Sequence, residues 1–136
     1  MKKFDTPTQV LTTYALAYDA GDVDTLAECF AVDGVFSYSI EGGVEGGPFS
    51  GRVAIRESNS ATIDAQRGTG IRRHIITNVL VDTTDTHAHA VSYLVLTLAK
   101  DGRLTVVTTG VYDDELVLSD GEWHITRRHL HLDLPF

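Results

Sequence analysis

The chain has 136 residues, 43% of them apolar and 22% charged, which fits one domain (1–136) with room for a real core. Its formal charge is −8, from 19 acidic against 11 basic residues, so the basic footprint that nucleic-acid binding needs is missing. Cys29 is the only cysteine, which excludes an internal disulfide or a thiolate metal cluster.

No stretch reaches the ~18 apolar residues of a membrane span, and the opening MKKFDTPTQV has no apolar run of a signal peptide. The expectation is a cytoplasmic protein with no membrane partner.

Thr6-Pro7 signals a helix start, a hydroxyl cap followed by proline at the first helical position. Val10, Leu11, Tyr14, Ala15, Ala17 and Tyr18 then fall on one helical stripe, and Gly21 can end it. Asp22 can cap a second short helix over 23–30. Asp33-Gly34 turns the chain, and 35–40 reads as a strand. The segment 41–51 holds five glycines and a proline and reads as a mobile loop. It lacks the P-loop pattern and its Lys-Ser/Thr ending, so it is not a phosphate cradle. A third helix is expected over 52–65, with Val53, Ile55 and Ile63 as apolar points.

Everything after Gly70 reads as β-structure: strands over 71–82, 87–99, 103–113 and 123–132. Asp101-Gly102 is a strong hairpin signal between two of them. Helices first and an antiparallel meander second predict an α+β domain, three N-terminal helices packed on a strongly curved, mostly antiparallel sheet. A pocket between the two layers is where a small ligand would sit.

Asp19 ends the first helix, where the macrodipole disfavours an anion. It reads either as a solvated acid in a turn or as a partly buried carboxylate aimed at a histidine. Alternation places His74 on one strand face with Arg72, Ile76 and Asn78. A carboxylate that accepts an imidazole N–H fixes the tautomer and stabilises the imidazolium formed during proton abstraction. Spacing alone does not show that Asp19 and His74 meet.

His87 and His89 share a face near a strand start, and no convincing third ligand accompanies them, so no metal is expected. Their rival reading, with His129, is a metal-dependent hydrolase or oxygenase. His129 and His131 alternate with Trp123, Ile125 and Arg127, and Arg128 points the other way. Arg128 or Arg127 could stabilise an enolate or departing anion, or could pair with a surface acid. Tyr14, Tyr18, Tyr38, Tyr93 and Tyr112 are amphipathic groups that can polarise a carbonyl or fill core. No GxSxG elbow supports a nucleophilic serine, and Cys29 beside Phe30 reads as buried and inert.

Four segments, 18–36, 49–55, 73–79 and 121–125, carry a resemblance. In this order they resemble the SnoaL-like branch of the nuclear transport factor 2-like superfamily, and within it scytalone dehydratase and hexachlorocyclohexane dehydrochlorinase. The resemblance implies a cone-shaped α+β barrel and a pocket that works without a cofactor. Tyr18-Asp19 matches a Tyr-Asp pair ending the first helix, and His74 a strand histidine. By this likeness His74 abstracts a proton, Asp19 orients it, and Arg128 assists the leaving group. Tyr14, Tyr18, Tyr38, Phe36, Phe49 and Asn78 are the expected substrate-binding residues, with Phe30 in the apolar wall.

The chain departs from scytalone dehydratase where that enzyme has a further catalytic histidine. Val107-Thr108-Thr109 stands in that region, so the same substrate is not expected. The expected function is a cofactor-independent lyase or isomerase acting on a small hydrophobic, cyclic or polyketide-like substrate. The competing reading is a non-catalytic ligand-binding or dimerisation module. Apolar alternation on both faces of 91–98 and 104–111 leads to the expectation of a homo-oligomer, a dimer first and a trimer second.

Overall fold

In the computed structural model, which describes residues 3–136, Thr6 accepts a hydrogen bond from the Gln9 amide at 3.1 Å. The first helix, α1 (Pro7–Ala20), therefore starts where its cap and proline signal it, and ends at Gly21 in the left-handed conformation. Its stripe of Val10, Leu11, Tyr14, Ala15 and Ala17 is buried. Asp22 caps α2 (Val23–Glu28) through the Thr25 amide.

The second helix is shorter than expected, because the sheet captures its last residues. Ile125 N–H donates to Cys29 O and Arg52 Nε to Phe30 O, so Phe30 opens β1 (Phe30–Ile40) instead. The expected loop over 41–51 is also corrected. Gly42 and Gly43, both at positive φ, turn the chain, and 44–50 pairs with β1 as an edge strand, β2 (Val44–Ser50). Glycine weakens a strand but leaves its main chain free to pair.

The remaining elements are α3 (Arg52–Gln66), β3 (Ile71–Thr83), β4 (His87–Lys100), β5 (Arg103–Ser119) and β6 (Glu122–Leu132). The six strands form one sheet in the order β2-β1-β6-β5-β4-β3, antiparallel throughout except for the parallel pair β1 and β6. The sheet curves around the helices, yet its edges β2 and β3 do not pair, so it is an open cone and not a closed barrel. Irregularities in pairing at Thr77/Leu80, Leu96/Thr97 and Glu115/Leu116 bend the long strands. Leu11, Leu26, Phe30, Ile55, Leu94, Leu116 and Ile125 fill the space between the layers.

The irregularity at Glu115/Leu116 changes which residues of β6 face inward. Trp123 and Ile125 are buried, and beyond the shift so are Arg128, Leu130 and Leu132. His129 and His131 therefore do not share the interior with Trp123 and Ile125, as strict alternation predicts. They lie on the outer face, bonded to Ser37 and Ser39 of β1. Register aligns Ile75, Val95 and Thr109 across that face, and next to them Thr77, Tyr93, Val111 and His131. No helix among the described residues is long and apolar enough to cross a membrane.

Candidate active site

Two elements distant in sequence meet at one end of the cone. α1 brings Tyr18 and Asp19 to its C-terminus, and β3 packs against that helix with His74 facing inward. The imidazole Nδ1 lies 2.6 Å from Asp19 Oδ1, and the His74 main-chain N–H donates to Asp19 Oδ2 at 3.0 Å. The side chains are only 8% and 10% exposed, respectively. An ionised carboxylate can only accept, so in a neutral imidazole Nδ1 carries the proton and Nε2 keeps its lone pair. Nε2 has no hydrogen-bond partner among the described residues, and His74 lines a cavity of about 50 Å³.

Most of the cavity wall is apolar or aromatic. Phe36, Leu94, Leu96, Leu130 and Leu132 come from the sheet, and Tyr14, Tyr18, Tyr38 and Tyr112 add four phenols. The Tyr18 ring centroid sits 4.3 Å from that of the imidazole, with the two planes tilted by 48°. Burial pushes the Tyr18 phenol well above its ordinary range and the Tyr14 phenol up to about 12. Both are protonated donors at neutral pH. Phe136 adds one more ring, and α3 contributes a polar side as Ser58, Asn59, Thr62 and Gln66.

Arg128 takes a different place from the one its resemblance implies. It is fully buried, its Nε and Nη2 donate to Asp114 at 2.8 and 3.0 Å, and it does not line the cavity. Its guanidinium carbon stands 4.3 Å from the Tyr14 ring centroid and 3.8 Å from that of Tyr112. The inward shift of β6 explains this: Arg128 registers against Asp114 and Phe36, and the acid has already engaged its fork. Arg128 meets the cavity only through the two tyrosine rings it braces. Burial works against its charge, but Asp114 outweighs this and holds the guanidinium protonated.

Arg127 faces the other way, paired with Asp113 and Glu115. His89, Asp113 and Glu115 bring ligand atoms within 4.8 Å of one another, and Arg127 already supplies the positive charge between the carboxylates.

Three further expectations are corrected. Asn78 is exposed, at positive φ in the irregular part of β3, and bonds Thr77. The register shift there carries it off the inward face. Phe49 does not line the cavity; it stacks on Phe36 from the neighbouring strand. Phe30 is fully buried core behind that wall. Tyr14, Tyr18, Tyr38 and Phe36 line it. Asn59 and its neighbours on α3 went unnoticed in the sequence. Their signal is a polar residue at 59, one turn after the fully buried Ile55, where a helix stripe should be apolar.

An open α+β cone with a carboxylate–imidazole pair inside it is a small-molecule pocket architecture. The SnoaL-like domain family matches residues 8–129, and the chain belongs to it. No curated protein matches the sequence.

Among solved structures it is similar to a protein of unknown function from Mycobacterium tuberculosis, 29% identical over 93% of this chain and 69% of that one, TM-score 0.77. It is similar to a protein from Catenulispora acidiphila in complex with S-DNPA, 27% identical over 92% and 89%, TM-score 0.75. A candidate scytalone dehydratase from Novosphingobium aromaticivorans, 23% identical over 93% and 81%, TM-score 0.71, shares the fold.

Proposed function

We propose that the chain is a cofactor-independent lyase or isomerase whose proton-transfer group is His74. The observation that carries this reading is the 2.6 Å contact between Nδ1 and Asp19, on a histidine that lines the cavity and whose Nε2 has no hydrogen-bond partner among the described residues. Nε2 takes a proton from the carbon beside a substrate carbonyl, and Asp19 stabilises the resulting imidazolium. The enolate oxygen accepts from a phenol, with Tyr18 beside the imidazole as the nearest donor. If the neighbouring carbon bears a hydroxyl, the imidazolium returns the proton to it and water leaves. If that carbon instead begins a C=C bond, the imidazolium returns the proton to the far carbon of the dienolate and the double bond moves into conjugation with the carbonyl.

The apolar sheet wall suits a cyclic or polyketide-like skeleton, and the similar protein from Catenulispora acidiphila, solved in complex with S-DNPA, supports a ligand-binding role for this fold. The test is turnover of a panel of cyclic hydroxy-ketones by wild type, His74→Gln and Asp19→Asn. A loss of about 10²–10⁴-fold in both variants is expected. Turnover by His74→Gln equal to wild type sinks the proposal, and binding without turnover in any form favours a ligand-binding module.

A homodimer joined through the outer sheet face is part of the same proposal. Tyr93 and Ile75 are 50% and 47% exposed there, next to Val95 and Val111 in register. Sedimentation should give a dimer, and Tyr93→Lys a monomer.

A further inference from the structure

The polar wall of α3 carries an inference that rests on the proposed pocket and specifies its occupant. Ser58, Asn59, Thr62 and Gln66 recur at helical spacing, so one face of α3 presents only polar groups to a cavity otherwise lined by apolar and aromatic side chains and His74. A helix that packs on a core normally turns an apolar stripe inward, and α3 does so at Ile55, which is fully buried. One turn later the stripe carries Asn59 instead, 4% exposed.

A buried carboxamide is costly unless its hydrogen-bonding capacity is used. Asn59 Nδ2 donates once, to Ile55 O at 2.9 Å, and Oδ1 accepts from Tyr14 O–H at a long 3.4 Å. The group can make four bonds and makes two. One N–H and one lone pair remain on a side chain that lines the cavity, beside the Tyr14 phenol.

We infer that Asn59 is a specificity-determining residue that selects an oxygen function on the ligand edge facing α3. The ligand class is then a ring bearing a hydroxyl or carbonyl on that edge, distinct from the group that meets His74. A hydrocarbon edge would leave the spare N–H and lone pair of the Asn59 carboxamide unpaired and dry, which is how hydrogen-bonding sites reject analogues lacking the partner.

Phenol and toluene test this, since they differ by hydroxyl against methyl at nearly constant shape. Calorimetry on wild type, Asn59→Leu and His74→Gln gives the affinity ratio, and the ¹⁵N resonance of the Asn59 side-chain amide reports contact without any substitution. Phenol should bind wild type about tenfold more tightly than toluene, and the ratio should fall toward one in Asn59→Leu. The ratio should persist in His74→Gln, and the amide resonance should shift with phenol only.

Equal affinities in wild type, binding of neither probe, a ratio unchanged by Asn59→Leu, or an unmoved amide each overturn the inference. Turnover of hydroxy-ketones is read separately. Loss of turnover in His74→Gln with an unchanged ratio in Asn59→Leu removes this inference alone, and the converse removes only the catalytic reading.

Discussion

Asp19 holds His74 at two points with one carboxylate, the ring through Oδ1 and the main-chain N–H through Oδ2. The second bond fixes the position of the strand as well as the side chain, so the ring is oriented by backbone and carboxylate together. Asp19→Asn keeps the shape but turns one acceptor into a donor. If the amide oxygen stays with the main-chain N–H, its NH2 faces Nδ1 and forces the proton onto Nε2. ¹⁵N spectra of the imidazole should then show the tautomer exchanged relative to wild type, with the fold intact. Unchanged ring-nitrogen shifts would mean that Asp19 does not select the tautomer.

The placement of Asp19 and His74 is legible in the sequence, though their contact is not, because each sits on a strongly periodic element. The α1 stripe ends at Gly21, which places Asp19 in the last turn, and alternation in 71–77 puts His74 inward. Arg128 was misread for the opposite reason. Its face depends on a register shift at Glu115/Leu116 that no side-chain pattern announces, and its partner Asp114 looks like any surface acid beside Asp113. Asn59 was missed because a polar residue on a helix is normally solvated. Strand β2 was missed because glycine pairs through a main chain that composition does not reveal.

The buried pair of Arg128 and Asp114 should behave non-additively. Both side chains are wholly inaccessible, so removing either partner leaves an uncompensated charge in the core. Asp114→Leu and Arg128→Met should each cost about 3–5 kcal/mol in denaturant unfolding. The double variant should cost clearly less than their sum, because the two desolvation penalties vanish together. Additive losses would show that the pair is not electrostatically coupled.

Buried phenols make the fold sensitive to alkali. Tyr14 keeps its proton to about pH 12, against an ordinary value of 10.0, because burial disfavours the phenolate. A group whose folded value is raised stabilises the fold fully below its unfolded value and loses that contribution as pH climbs through the folded one. Between pH 10 and 12 the unfolded chain ionises while the folded chain does not, and roughly 2–3 kcal/mol is lost through Tyr14 alone. Thermal unfolding followed from pH 8 to 12 should show this fall, coinciding with tyrosinate absorbance. Tyr14→Phe should make the decline shallower, and an identical slope would contradict the assignment.

Gly46 sets the position of Tyr38. A Cβ built there would lie 2.1 Å from the Tyr38 ring carbons Cε1 and Cζ, so the ring occupies the space that any other residue would fill. The clash involves the far end of a side chain that can rotate, so Gly46→Ala should displace Tyr38 and leave the strand paired. Unfolding temperature should change by only a few degrees, as for a surface substitution of modest cost. Ligand affinity should change much more, because Tyr38 lines the cavity and packs edge-on against Phe136 at 6.1 Å. A control, Gly43→Ala, alters the hairpin turn where an added Cβ meets nothing within 4 Å, and should leave binding as it was. If both substitutions changed binding equally, the effect would arise from the hairpin backbone and not from the displaced phenol.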